Sequence, residues 1–178
     1  PDWTADWLHK EAIFILDKWA TQDYGMPYDQ LKDETQASLQ KRLQNEMRKN
    51  TYDEQTKTLT ISEVRYEAFL SNSRHYAGLF MNDPALEHLR ESYSIPLNAI
   101  RDKERMDKMN AFFFWATWST VTERPGETIT YTNNWPAEKL VGNEPTGELI
   151  LWTGFSVIVL LFGIGLLAWY YATNKEEE

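Results

Sequence analysis

Three histidines, His9, His75 and His88, offer the imidazoles that could ligate a metal or haem, but their spacing sets up no H-x-x-x-H pair. The chain has no cysteine. Thiolate metal sites, a cysteine nucleophile, disulfides and covalent haem attachment through C-x-x-C-H are therefore excluded within these residues. Met26 precedes Pro27, a setting that suggests either a haem-ligating methionine or a turn methionine packed on the core. The eight glycines are dispersed, so no phosphate-cradling loop forms, and no G-x-S-x-G elbow is present. Carboxylates are numerous, but almost all fall on solvent faces of the expected elements. No nucleophile–base pair and no metal constellation emerges, so the segment alone reads as non-catalytic.

The formal charge of −9 on 178 residues argues against phosphate-backbone partners. Up to Glu148 there are 17 basic and 24 acidic residues, so the acidity belongs to the polar portion and not only to the terminal "KEEE". Nucleic-acid binding and docking on anionic lipid through a basic patch both need clustered Lys and Arg, which are missing.

The elements that would position any site are mostly helical. "DWTADWLHKEAIFILDKWATQDYG" offers Asp2 and Thr4 as caps and a stripe of Trp7 or Leu8, Ala12, Ile15 or Leu16, and Trp19, ending at Gly25. Asp33 and Gln36 read as a capping box before Leu39, Leu43 and Met47. Thr51 to Ser62 alternates like a β-hairpin, with Asp53 closing an Asx-type turn. Ser62 caps a helix burying Val64, Ala68, Tyr76, Leu79 and Phe80, which Asn82-Asp83-Pro84 stops. Pro84 opens a short helix through Arg90, and "YSIPLNAI" is a connector. In "DKERMDKMNAFFFWATWSTV" a charged half precedes an aromatic run, read either as the last core helix or as a surface against the membrane interface or a partner protein. Arg124-Pro125-Gly126 forms a turn before an alternating strand at Ile129 and Tyr131.

Leu149 to Ala172 carries no formal charge over 24 residues. At about 1.5 Å per residue such a helix reaches ~36 Å, enough to cross a ~30 Å hydrocarbon core. Trp152 at one end and Trp169, Tyr170 and Tyr171 at the other suit the headgroup regions. Gly154, Leu161, Gly165, Ala168 and Ala172 share one face, where a second helix could pack closely. Lys139 and Lys175 nearly cancel in the charge asymmetry that sets orientation. The spacing and composition predict a polar domain at 1–148, a transmembrane helix at 149–172 and a polar tail at 173–178.

Three stretches, "PDWTADWLHKEA", "FFFWATWSTVTERPGETITYTNNWP" and "VGNEPTGELILWTG", together carry a resemblance across essentially the whole chain. It resembles the N-terminal region of quinol-dependent nitric oxide reductases, single-chain members of the haem–copper oxidase superfamily. The resemblance implies a mainly α, haem-free cytochrome c-like periplasmic domain with a short β-hairpin, followed by one transmembrane helix, in the bacterial inner membrane. It implies an enzyme that reduces two NO to N2O and water with quinol electrons, through haem b, haem b3 and a non-haem iron, with a calcium ion near the haem propionates. The ligands of those metals belong to later helices, and part of the calcium ligation to residues before Pro1, so none maps onto His9, His75 or His88. The implied partners are the lipid bilayer, the catalytic helix bundle of the same polypeptide, quinol and NO, with no nucleic acid; a homodimer is left open.

The segment 131–148 is amide-rich with one lysine, an odd approach to a bilayer. If the domain caps a helix bundle, its amides can bond to the bundle's polar rim and to cofactor carboxylates. Trp115, Trp118, Tyr131, Asn133, Asn134 and Trp135 are the residues for that contact, or else they pack the domain's own lower edge. Two other readings stay open: an independent single-pass interaction module, and an anchored electron-transfer subunit.

Overall fold

The computed structural model describes residues 3–174. Contacts divide the chain into two units, Pro1–Glu144 and Pro145–Glu178. The first contains α1 (Trp3–Tyr24), α2 (Asp33–Arg48), a hairpin of β1 (Tyr52–Asp53) and β2 (Thr58–Leu59), α3 (Glu63–Phe80), α4 (Glu87–Ser92) and α5 (Lys103–Val121). Single 3-10 turns lie at Tyr28–Gln30, Pro84–Leu86 and Lys139–Val141. The second unit contains α6 (Gly147–Asn174).

Helix α1 is the central element, packing on α2, α3 and α5. Its stripe is buried as the spacing predicts, and both alternatives at each ambiguous position are used: Trp7, Leu8, Ala12, Ile15, Leu16 and Trp19 all face inward. A stripe that wide needs protein on two sides. One side meets Leu39, Leu43 and Met47 of α2 in an aliphatic core. The other meets Tyr76 and Leu79 of α3 and Phe114 of α5 in an aromatic one. Gly25 takes φ 71° and ends the helix, its N–H bonding to Thr21 O at 3.0 Å, a conformation open to a residue without Cβ.

Several local expectations change. Thr4 lies inside α1 and does not cap it, and Asp2 falls outside the described residues. Lys32 is the cap residue of α2, so Asp33 occupies the first helical position, where a carboxylate favours the helix dipole. Gln36 reaches instead to Tyr28 O at 3.0 Å and Leu31 O at 3.1 Å, stapling the preceding turn. Met26 is 41% exposed and does not pack on the core. Thr130 makes only an isolated bridge with Glu123, because turns on both sides bend the segment, and no strand forms at 129–131.

Other local signals hold. The hairpin pairs Tyr52 with Leu59 and Asp53 with Thr58. Asp53 Oδ1 accepts from the Gln55 N–H at 2.8 Å. That bond, with those from Thr56, holds the carboxyl below its ordinary pKa. Ser62 caps α3 through Arg65 N. Asp83 caps the turn that Pro84 opens, which runs into α4 as far as Ser92.

In the second unit, α6 begins two residues before the uncharged stretch because Thr146 Oγ1 accepts from Leu149 N at 3.2 Å. It is long and apolar enough to cross a membrane, and none of its described side chains is buried within the chain. Gly154, Leu161, Gly165, Ala168 and Ala172 lie along one side of it, all exposed. A Cβ added at Gly154 or Gly165 would meet open space. Of the two lysines flanking α6, Lys139 sits in the last 3-10 turn and Lys175 lies outside the described residues.

Candidate functional site

The segment from Thr122 to Asn143 has little regular structure, so its shape depends on side chains that reach in from helices. Arg48, the last residue of α2, does most of this. Its Nε donates to Glu123 Oε1 at 2.8 Å, Nη1 to Asn143 Oδ1 at 3.0 Å and Gly142 O at 3.2 Å, and Nη2 to Thr128 O at 2.9 Å. Asn143, buried beneath it, donates from Nδ2 to Thr120 O at 2.8 Å and Pro136 O at 3.1 Å. Asn50 Nδ2 donates to Tyr131 OH at 2.9 Å, and Arg124 Nη2 to Asn133 Oδ1 at 2.8 Å.

This lattice fixes the turn at 131–135. Asn133 and Asn134 take φ 56° and 59°, left-handed conformations that asparagine tolerates better than most residues. Asn134 Oδ1 accepts from Thr130 N at 3.1 Å, and Asn134 N donates to Thr130 Oγ1 at 2.8 Å. The side-chain oxygens of both asparagines are thus engaged inside the domain. The turn they shape leaves Trp135 53% exposed.

Next to it a groove of about 640 Å³ opens between the hairpin and α5, lined by Tyr52, Lys57, Leu59, Trp115, Trp118, Ser119, Tyr131 and Thr132. Trp118 is its buried wall, with ring centroids 5.6 Å from Tyr131 and 6.3 Å from Tyr52. Trp115, one turn earlier, is 55% exposed. Helix α5 is therefore a core helix that also keeps part of its aromatic run exposed. Phe114, Trp118 and Val121 face the core, and Phe112 and Trp115 face outward with their rings 6.0 Å apart.

The six residues singled out from sequence lie on one groove and the turn that adjoins it, in different states. Trp115, Tyr131 and Trp135 are exposed, Trp118 is buried between two tyrosines, and Asn133 and Asn134 brace the turn. Arg48 and Asn143 were not legible as site residues, because the residues they hold in place lie up to 95 positions away. The one available signal was an arginine in the basic stop "RKN" that ends an amphipathic helix.

A haem does not fit the interior of this domain. The space where α1, α3 and α5 meet is filled by rings in mutual contact: Trp7 stacks on Tyr76 at 5.2 Å, Phe113 meets Tyr76 at 5.3 Å, and Phe69 meets Phe114 at 5.5 Å. The absence of cysteine also removes thioether attachment. Among the described residues, no three His, Asp or Glu side chains gather closely enough to hold a metal ion. His9 Nδ1 lies 2.8 Å from Glu138 Oε2, tying α1 to the last 3-10 turn, and His88 is exposed on α4.

His75 is half-buried beside a small polar cluster. Asp6 accepts from Lys10 Nζ at 2.6 Å and from Tyr76 OH. Burial pushes the Asp6 pKa up, but the bonds from Lys10 and Tyr76 outweigh it and hold the carboxyl below its ordinary 3.8. Burial and the Lys10 charge hold the His75 imidazole below its ordinary 6.5, against the opposing pull of Asp6 and Asp83. Each depressed folded-state value means the unfolded chain takes up protons more readily, so each group stabilises the fold at high pH and loses that contribution as pH falls. Acidification should therefore destabilise the domain in two steps, one beginning below pH 6.5 from His75 and one below pH 3.8 from Asp6. Thermal melts of His75→Phe should lack the first step, and those of Asp6→Asn should show a smaller second step, the remainder coming from Asp53, whose carboxyl is also held low; a profile that neither variant alters would show that the cluster does not govern the acid response.

Comparison with curated proteins gives no match. The NorB cytochrome c-like domain family of nitric oxide reductase matches residues 1–137. That span takes in every element of the first unit except the final 3-10 turn. With its closed aromatic interior, braced turn and appended apolar helix, the chain belongs to the NorB family and is an N-terminal region of a nitric oxide reductase.

Proposed function

We propose that this chain is the non-catalytic cap and one membrane helix of a quinol-dependent nitric oxide reductase, with the polar domain on the periplasmic side of the bacterial inner membrane. The full enzyme would carry out 2 NO + 2 e⁻ + 2 H⁺ → N2O + H2O, with quinol supplying the electrons. Haem b, haem b3, the non-haem iron and calcium are assigned to other segments of the same polypeptide, a reading supported by the filled aromatic interior and by the lack of a gathered donor set among the described residues. The observation that carries this reading is a cytochrome c-like domain whose interior is closed by aromatic rings, continuing in one chain into a helix able to span a membrane.

In this reading the turn at 131–135 is the face toward the catalytic bundle. Arg124, Thr130 and Arg48 hold Asn133 and Asn134 in place, and Trp135 makes the contact. A half-exposed tryptophan on a braced turn has the character of an anchor: it covers a large area and loses little conformational freedom on docking.

The test is made on the complete polypeptide. Quinol should support NO consumption, whereas turnover with reduced cytochrome c and none with quinol would overturn the quinol-dependent assignment. Trp135→Ala should weaken the docking of the domain by about 2 kcal/mol, the loss typical of a central aromatic anchor. That loss would be read as a lower melting temperature and reduced haem content in purified enzyme. Unchanged haem content, stability and NO turnover would reject Trp135 as the contact.

A further inference from the structure

We propose that the groove between the β1–β2 hairpin and α5 seats a phospholipid of the surrounding bilayer, with its phosphate on Lys57 and its apolar body against Trp115 and Tyr131. This inference goes beyond nitric oxide reduction and does not depend on which electron donor the enzyme uses.

The lining of the groove points to an amphiphile. Two walls are largely apolar, one formed by Tyr52 and Leu59 of the hairpin and one by the rings of Trp115, Trp118 and Tyr131, while Ser119 and Thr132 supply hydroxyls. Lys57 is the one charged residue among those that line it, in a chain whose formal charge is −9. A single cation beside exposed tryptophan and tyrosine is the combination enriched at the headgroup level of membranes, where rings sit between hydrocarbon and water and an ammonium meets phosphate. A soluble anion would have no use for the aromatic walls, and a purely apolar partner none for the lysine.

Lys57 is also held in place. The hairpin turn is ordered by Asp53 Oδ1, which accepts from the Gln55 N–H at 2.8 Å, and Thr56 and Thr58 are joined through their hydroxyls at 2.6 Å. Lys57 itself takes φ 55°, a conformation that glycine or asparagine adopts more readily. A lysine here is not explained by the needs of the turn, and its side chain lines the groove.

Supply of the ligand follows from the chain itself. Only Pro145 and Thr146 separate the last residue of the polar unit from the first of the apolar helix. A bilayer crossed by that helix is thus joined to the domain through one short covalent link, so lipid need not be captured as a free ligand.

The experiment uses the complete membrane polypeptide in nanodiscs of equimolar phosphatidylethanolamine and phosphatidylglycerol. A nitroxide is attached at Ser119→Cys, or at Thr132→Cys as a second position on the groove. These residues contain no competing cysteine, and any elsewhere in the polypeptide would be replaced. Collision of the label with oxygen, which concentrates in lipid, is compared with collision with a water-soluble nickel chelate. A lipid-filled groove gives high oxygen and low nickel accessibility at both positions, and Lys57→Glu shifts both labels toward the nickel chelate. High nickel accessibility before that substitution means a groove open to water, and low accessibility to both reagents means that protein fills it. Either result overturns the proposal, as does a Lys57→Glu variant whose labels remain in lipid. NO turnover, measured on the same samples, reports separately on the assignment as a reductase.

Discussion

Replacing Glu11 by alanine lowers the stability of the polar domain by about 3–5 kcal/mol, the cost of leaving one member of a buried ion pair without its partner. Glu11 is 0% exposed in the middle of α1, and its Oε1 accepts from Arg65 Nε of α3 at 2.8 Å. Arg65 is 3% exposed, and its guanidinium lies 5.5 Å from the centroid of the Phe114 ring. The pair is incompletely bonded, since Glu11 Oε2 and Arg65 Nη2 have no hydrogen-bond partner among the described residues. Truncating Glu11 removes the counter-charge bonded to a guanidinium that is almost wholly buried. The coupled replacement Glu11→Leu with Arg65→Met removes both charges and fills the space with apolar groups, so it should recover most of the loss. Urea unfolding followed by far-ultraviolet circular dichroism measures both, with the slope expected to stay constant. A double variant as unstable as Glu11→Ala would show that the pair is needed for reasons other than charge compensation.

This pair also marks where sequence reading stops. The apolar spacing of Leu39, Leu43 and Met47 specifies the buried face of α2, because a helix repeats every 3.6 residues and only one face can be covered. The Asx turn at Asp53, the Ser62 cap and the uncharged run that becomes α6 are likewise decided by neighbours within a few residues. Glu11 and Arg65 carry no such signal. Each reads as an ordinary charge among others on its helix, and they are 54 positions apart. The same limit applies at the site. Trp115, Tyr131 and Trp135 are legible as large rings in a polar region, and all three are exposed. Trp118 has the same character in sequence and is buried, because the hairpin brings Tyr52 over it from 66 positions away. The alternation at Ile129 and Tyr131 suggested a strand, but a strand requires a neighbour to pair with along its length. The segment obtains its hydrogen bonds instead from Arg48 and from asparagine side chains.

That dependence makes Arg48→Ala the second large effect, expected to cost about 3 kcal/mol and to be felt mainly in one segment. The guanidinium satisfies the carbonyls of Thr128 and Gly142 together with Glu123 and Asn143. Without it a buried asparagine and two carbonyls lose a donor at once, and Glu123 loses its counter-charge. Those groups lie in a stretch with almost no ladder of its own, so nothing local replaces the lost bonds. Hydrogen exchange should show protection falling across residues 123–143 while α1 and α3 keep theirs, since their packing rests on the two cores and not on Arg48. Arg48→Lys should behave more like alanine than like arginine, because an ammonium on a flexible stem cannot serve partners spread around a planar fork. If Trp135 docks on the catalytic bundle, Arg48→Ala should lower haem retention in the complete enzyme as Trp135→Ala does. The two substitutions combined should then cost less than their sum, because both act through the same turn. Full additivity would separate the bracing of the turn from its contact. Unchanged exchange at 123–143 would show that the turn holds its shape without the arginine.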